Sequence, residues 1–412
     1  MPEFVGSFLR TYLHLVISSR MLSLYQRLSH ANLTFQGDLS FVNTWSFFMP
    51  DPSNRLENLI STGPHAGTLG AFSTGVKLRT QYEHLLWQAI EHNQTSLWAS
   101  DSRRVVATAR YFAAGFFGLE WENTARLHVI PETADLGADT LTPGDTCLNY
   151  VNNIDGYGHD YGYKKAGEWR STYLPAIAER LQVQNPNITF SMEEVYTMQE
   201  ICGFETLAKG SSPWCDVFTH SEWESFEYAR DVLHYYRAGP GNRYGATMGL
   251  LWLNATTNLL NAGPDAGPLF FSFVHDGDII PFLAALDLLP SDPLPTTHIP
   301  AKRTWRTSSI TPMGGRIVLE RLSCPAPPTC WSNAPLYPNH VYCSPAPDDV
   351  FVRLVVNEGV MELPGCAGGP GKSCGIEDWT ERARIRGRGL RHFGELCGLG
   401  KDAPKRISFL HQ

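Results

Sequence analysis

Charge is scarce in this sequence of 412 residues: 18% of side chains are Asp, Glu, Lys or Arg, against 43% hydrophobic. That balance excludes a disordered chain and supplies a sizeable core. A basic excess is missing too. With 33 basic and 41 acidic side chains the net charge is −8, which speaks against a nucleic-acid footprint over the whole chain. No uninterrupted apolar run reaches spanning length. The strongest, Phe270–Leu289, carries His275, Asp276, Asp278, Pro281 and Asp287, so no membrane span is expected. None of the nine cysteines forms a C-x-x-C pair, which removes zinc-ribbon and thioredoxin-like readings. No H-E-x-x-H, G-x-S-x-G or G-x-G-x-x-G follows a strand, so metalloprotease, α/β-hydrolase and dinucleotide-binding readings lack support. Neither a metal site nor a cofactor is expected. Met1–Ser19 lacks the features of a signal peptide, because Glu3 stands early, Arg10 interrupts the apolar run and His14 lies inside it.

What is present points to an oxidising compartment. Six of the cysteines crowd into the last quarter, and four N-x-S/T sequons occur at Asn32, Asn93, Asn187 and Asn254. Together they favour a secreted, disulfide-bonded glycoprotein, in which an odd cysteine count leaves one thiol over. At about 150 residues per domain the length suggests two or three domains, or one α/β body with an insertion. Strands are expected over Thr95–Ser100, Leu127–Ile130, Leu269–Val274, Arg316–Leu322 and Phe351–Val356. Helices are expected over Thr62–Leu86, Arg103–Phe117, Glu168–Gln182, Glu222–Tyr236, Tyr244–Leu260 and Ile279–Leu288. In the first of these, Leu69, Phe72 and Val76 suggest an apolar stripe. Strand and helix alternate at both ends around a helical middle. The fold class is therefore α/β: a sheet domain over Met1–Glu132 and Gly241–Gln412, with a helical domain over Thr133–Pro240.

Two stretches carry candidate chemistry. In Leu269–Asp278 a buried strand ends in His275 and Asp276, followed by glycine. Ligands of open α/β sheets bind beyond the carboxyl ends of strands, where such a pair can contact an anion and protonate a leaving group. Without a function, it is a strand exit with solvated polar residues. In Ser100–Val105 a strand passes into a helix with Arg103 and Arg104 at its start, where paired arginines can clamp a phosphate. The plainer alternative is a surface basic pair. Gly365–Ser373 imitates a phosphate loop but fails on spacing, since Cys366 stands where the first glycine belongs and Pro370 lacks an amide donor. A surface loop closed by Cys366 and Cys374 is expected instead. The run Arg382, Arg384, Arg386, Arg388 and Arg391 reads as a solvated face.

These strings resemble the histidine acid phosphatases. Val274-His275-Asp276 followed by Ile279–Leu286 resembles that family's proton-donor motif, and Ser100–Phe117 its phosphate-binding strand and helix, with Arg104 at the matching arginine. Cys202–Thr206 and Ser212–Thr219 resemble its helical domain, which implies a bond between Cys202 and Cys215. Tyr235–Gly241, Pro312–Gly315 and Phe351–Glu358 add further matches. The similarity is closest to the fungal secreted acid phosphatase and 3-phytase branch and runs from about Leu24 to the C-terminus. It implies a phosphoglycerate-mutase-like sheet with flanking helices and a helical insertion. It also implies small phosphate monoesters as substrates, phytate among the options, and hydrolysis through a phosphohistidine. Asp276 would donate the proton, while His275 and Arg104 would hold the phosphoryl oxygens.

The family's R-H-G-x-R-x-P motif, which carries the nucleophilic histidine, does not occur in these 412 residues; Arg391–Gly394 is the nearest string, at the wrong end. The expectation is an N-terminal segment replaced or lost, with hydrolysis weakened accordingly. The alternative is a non-catalytic secreted glycoprotein that keeps the fold and binds phosphate esters. The run Tyr12–Ser18 is expected to take the slot of the first strand, with no imidazole at its exit.

Overall fold

The computed structural model describes residues 2–7, 11–48, 64–290, 292–325, 329–331, 342–344 and 348–412. Ten strands occur among them: β1 (Pro2–Ser7), β2 (Ser96–Ser100), β3 (Arg126–Ile130), β4 (Phe271–Val274), β5 (Arg316–Cys324), β6 (Thr329–Trp331), β7 (Tyr342–Ser344), β8 (Asp349–Val356), β9 (Gly359–Met361) and β10 (Cys374–Gly375). Eight form one mixed sheet in the order β10-β8-β5-β1-β4-β2-β3, with β9 beside β8. Neighbours from β1 to β3 run parallel, while β5, β8, β9 and β10 pair antiparallel. β6 and β7 make a separate hairpin. The chain is thus α/β, with helices packed around a mixed sheet.

The slot of the first strand is filled by Pro2–Ser7, between β4 and β5, and not by Tyr12–Ser18. That run lies inside a helix, Thr11–His30. Met21, Leu24 and Leu28, at helical spacing, bury its later turns, and Arg20 reaches Glu193 and Glu200 at 3.1 Å each. Helix formation is cooperative, so the apolar run upstream is carried along despite its strand-like composition.

The expectation for Thr62–Leu86 also needs correction. Residues 62 and 63 lie outside the described ones, and the rest forms two helices, Gly67–Gln81 and Glu83–Glu91, broken at Tyr82. Tyr82 is buried and donates to Glu320 at 2.6 Å. The first helix buries Ala71, Gly75 and Leu78, leaving Leu69 and Val76 exposed. The helix facing it, Arg103–Phe117, buries Val105, Ala109, Phe112 and Phe116. Phe112 meets Phe273 at 5.2 Å between ring centres, and Phe116 meets Phe271 at 4.8 Å. Such pairs add about 1 kcal/mol each beyond the area they bury, and they fix this helix against β4.

Long helices lie between β3 and β4: His159–Gln184, Met192–Lys209, His220–Arg237 and Gly245–Ala262. A capping box starts His220–Arg237: Glu222 N–H donates to the Thr219 hydroxyl, and the Glu222 carboxylate accepts from Thr219 N–H. Gly245–Ala262 packs closely on the helix that follows β4, Asp276–Leu286. A Cβ at Gly249 would stand 1.8 Å from the Pro281 carbonyl oxygen, so only glycine allows this approach. Three disulfides are described, Cys147–Cys397, Cys202–Cys215 and Cys366–Cys374. Cys324 has no disulfide partner among the described residues. The four sequon asparagines are all exposed.

The arginine run is not simply a solvated face. Arg386 donates to the carbonyls of Ala285 and Ala284, and Arg382 to that of Leu286. Both side chains thereby cap the C-terminal end of Asp276–Leu286, where the helix dipole favours positive charge.

Candidate active site

Three parallel strands end level with one another. Ser100 of β2 pairs with Ile130 of β3, and Ala99 of β2 pairs with Phe273 of β4. Just past these ends stand Arg104, Glu132, His275 and Asp276. The register therefore brings together side chains more than 100 positions apart, at the sheet edge where α/β ligands bind. Arg103 and Arg104 lie on different faces of their helix. Arg103 is exposed, and Arg104 is 2% exposed and turned toward His275. One residue of offset on a helix is a rotation of about 100°, which separates the two faces.

Nη2 of Arg104 lies 3.0 Å from Nδ1 of His275. A guanidinium can only donate, so Nδ1 accepts and the ring proton sits on Nε2. Nε2 in turn donates to Oε1 of Glu132 at 2.7 Å. His275 is 1% exposed, and its backbone N–H donates to Asp278 Oδ2 at 3.1 Å. Burial pushes the Glu132 carboxyl upward, but its hydrogen bond and charge pairing with His275, with Arg104 adding, bring it below its usual value.

Asp276 is 5% exposed, and its Oδ1 accepts from Gly277 N–H at 2.7 Å. Around it lies a second cationic group that the sequence reading did not single out. Arg230, His234 and Arg237 occupy positions i, i+4 and i+7 of His220–Arg237, which is one helix face. Nδ1 of His234 lies 3.8 Å from Asp276 Oδ2, and Arg230 Nη2 lies 3.2 Å from His234 Nε2. Arg230 can only donate, so the neutral His234 carries its proton on Nδ1, toward the carboxylate. Arg237 is 1% exposed, and its Nε and Nη1 have no hydrogen-bond partner among the described residues. A Cβ on Gly277 would come 3.2 Å from Arg237 Nη2, so glycine there lets the guanidinium reach the start of Asp276–Leu286.

Electrostatics follow from that placement. Burial alone would raise the Asp276 carboxyl, but His234, Arg237, His275 and Arg230 hold it well below the usual carboxylate range. Burial pushes His234 down to about 3, with Arg230 and Arg237 adding and Asp276 opposing. The free site is therefore an ionised carboxylate in a cationic setting. A dianion entering it would offset the positive field and raise the affinity of Asp276 for a proton.

Sequence comparison agrees with this geometry. The profile of the histidine phosphatase superfamily (branch 2) matches residues 17–357. The phytase PHO112 of Candida albicans is 34% identical over 393 residues, covering 94% of this chain and 78% of its own. The acid phosphatase PHO1 of Komagataella pastoris is 31% identical over 399 residues, covering 95% and 79%. The crystal structure of the phytase from D. castellii superposes with a TM-score of 0.84 at 29% identity, covering 99% of this chain and 83% of that one. The matched region contains Arg104, Glu132, the Arg230–Arg237 face, His275 and Asp276 together, and the chain belongs to branch 2 of the histidine phosphatase superfamily.

Proposed function

We propose that this edge of the sheet binds small phosphate monoesters and supplies the acid half of a phosphatase reaction. The observation that carries the reading is the buried Arg104–His275 contact beside Asp276. Arg104 would hold phosphoryl oxygens, His275, whose two ring nitrogens are engaged by Arg104 and Glu132, would fix that guanidinium, and Asp276 would protonate the leaving ester oxygen. In the complete reaction an imidazole nitrogen bonds to phosphorus as the P–O ester bond breaks, and the alcohol leaves with the Asp276 proton. Water then displaces the imidazole and returns a proton to Asp276, releasing phosphate. Relatives named as phytase and acid phosphatase support this substrate class.

The Arg230–His234–Arg237 face lies against the acid and not among the phosphoryl contacts, so the leaving alcohol would meet it. This favours alcohols that bear further negative charge, phytate being one such ester. R-H-G-x-R-x-P does not occur in the sequence, so the nucleophilic step is the weak one. That observation favours a second reading, a fold that binds phosphate esters with little turnover. Residues 133–240 would form the helical domain and the rest the sheet domain. The disulfides and exposed sequons support a secreted glycoprotein.

Calorimetric titration with inorganic phosphate at acidic pH tests the site. The parent protein is expected to bind, and Arg104→Ala to lose about tenfold or more in affinity, as for a charged hydrogen-bond donor removed from a buried anion site. Equal binding by both would refute this location.

A further inference from the structure

We propose that Glu132 is a positioning residue that sets the tautomer of His275 and, through it, the placement of the Arg104 guanidinium. Resting on the phosphate-site reading above, the proposal starts from three polar groups in line: Glu132 Oε1, 2.7 Å from His275 Nε2, and Arg104 Nη2, 3.0 Å from His275 Nδ1. An imidazole with both nitrogens engaged has one tautomer that serves both neighbours. With the proton on Nε2, the ring donates to the carboxylate and accepts from the guanidinium. With the proton on Nδ1, two donors face each other at Arg104, and Glu132 loses its hydrogen bond. The carboxylate thus selects the ring state that lets Nδ1 hold Arg104. A carboxylate that orients a histidine in this way controls ligand affinity without touching the ligand.

Glu132 stands two residues beyond the end of β3, while Arg104 follows β2 and His275 follows β4. One side chain therefore ties together three strand ends. Its own side chain is 23% exposed, so truncation leaves no sealed cavity. The alternative is that Glu132 is only a negative charge close to an anion site. The two ideas give opposite signs. A bystander carboxylate repels phosphate, and removing it tightens binding. A positioning carboxylate, once removed, releases His275 and Arg104, and binding weakens although a negative charge has gone.

The test uses the full chain labelled with ¹⁵N-histidine, His275→Asn assigning the ring signals, beside titration with inorganic phosphate. In the parent protein and in Glu132→Gln, whose amide oxygen still accepts, His275 is expected as the Nε2–H tautomer. In Glu132→Ala its two nitrogens are expected to shift toward a tautomer mixture, and phosphate affinity to fall by about tenfold. An unchanged tautomer in Glu132→Ala, or phosphate binding as tight as the parent's or tighter, overturns the proposal. If the parent itself binds no phosphate, the phosphate-site reading fails, and the ring signals alone decide the role of Glu132.

Discussion

His234 presents Nδ1 to the carboxylate of Asp276 across 3.8 Å, and both side chains are buried. The distance is too long for a hydrogen bond, yet the two groups act on each other: the acid works against the burial that keeps His234 neutral, and His234 helps to hold the acid ionised. The neutral imidazole is bracketed by Arg230 on its far nitrogen and by the acid on its near one. A proton taken up from solvent by His234 would turn the pair from carboxylate and imidazole into carboxylate and imidazolium, at the cost of a further buried positive charge.

That cost makes stability depend on pH. His234 falls from 6.5 to about 3 in the folded protein. Between those values the unfolded chain binds the proton and the folded one does not, so stability rises with pH across this window. The contribution of His234 is complete above pH 6.5 and is lost as pH falls toward 3. The slope for one such proton is about 1.4 kcal/mol per pH unit. Asp276, depressed in the fold, adds stability above the ordinary aspartate value that is lost only at still lower pH. Denaturation midpoints measured from pH 7 to pH 3.5 should fall less steeply in His234→Gln than in the parent. Parallel curves would show that His234 is not the group responsible.

On the proposed reading, Arg237 would bear on leaving-group selectivity. Its buried Nε and Nη1 have no hydrogen-bond partner among the described residues and would face a negatively charged alcohol beside Asp276. Arg237→Met keeps much of the volume and removes the charge. It is expected to weaken binding of an alcohol bisphosphate by about tenfold while changing inorganic phosphate by about twofold or less. Competition titrations with the two ligands read the difference, and an equal loss for both would move Arg237 into the phosphoryl clamp instead.

The helix that carries Asp276 depends on its far end. Arg386 and Arg382 satisfy the carbonyls of Ala284, Ala285 and Leu286. Arg386→Ala should lower stability by about 1 kcal/mol, and the double change Arg382→Ala/Arg386→Ala by about 2 kcal/mol, as lost hydrogen bonds and dipole pairing would give. Urea midpoints under non-reducing conditions measure this. No change in either variant would mean that water replaces both side chains without loss.

The parts of the site that lay on one strand exit or one helix start were readable from sequence. β4 is a continuous apolar run, and Arg103–Phe117 shows the spacing of its buried face, so His275, Asp276 and Arg104 stood out at element boundaries. Glu132 did not, because its meaning depends on a contact 143 residues away that only the sheet register creates. The same holds for Cys147–Cys397, at a separation of 250. Arg230, His234 and Arg237 did leave a signal. Their i, i+4, i+7 spacing lies on a helix already expected from its apolar residues, but a helix buried on most sides from Tyr228 onward hides a polar face among apolar ones. The N-terminal error has a different origin. Val, Ile and Leu in Tyr12–Ser18 suit a strand, but the helix that continues through Met21, Leu24 and Leu28 decides the outcome.

The most direct test is turnover with a histidine restored at the place the sheet provides. β1 ends at Ser7, whose partner in β4 is Val274, one residue before His275. Placing R-H-G-x-R-x-P immediately after Ser7 would bring an imidazole to the same sheet edge as Arg104 and Asp276. At acidic pH the parent chain is expected to hydrolyse a chromogenic phosphate monoester at least about a thousandfold more slowly than the grafted one, because loss of a covalent nucleophile removes most of the catalysis. Asp276→Ala should then cut the activity of the grafted chain. Near-equal turnover by parent and graft, abolished in both by Asp276→Ala, would contradict this and mean that another residue of the chain serves as nucleophile.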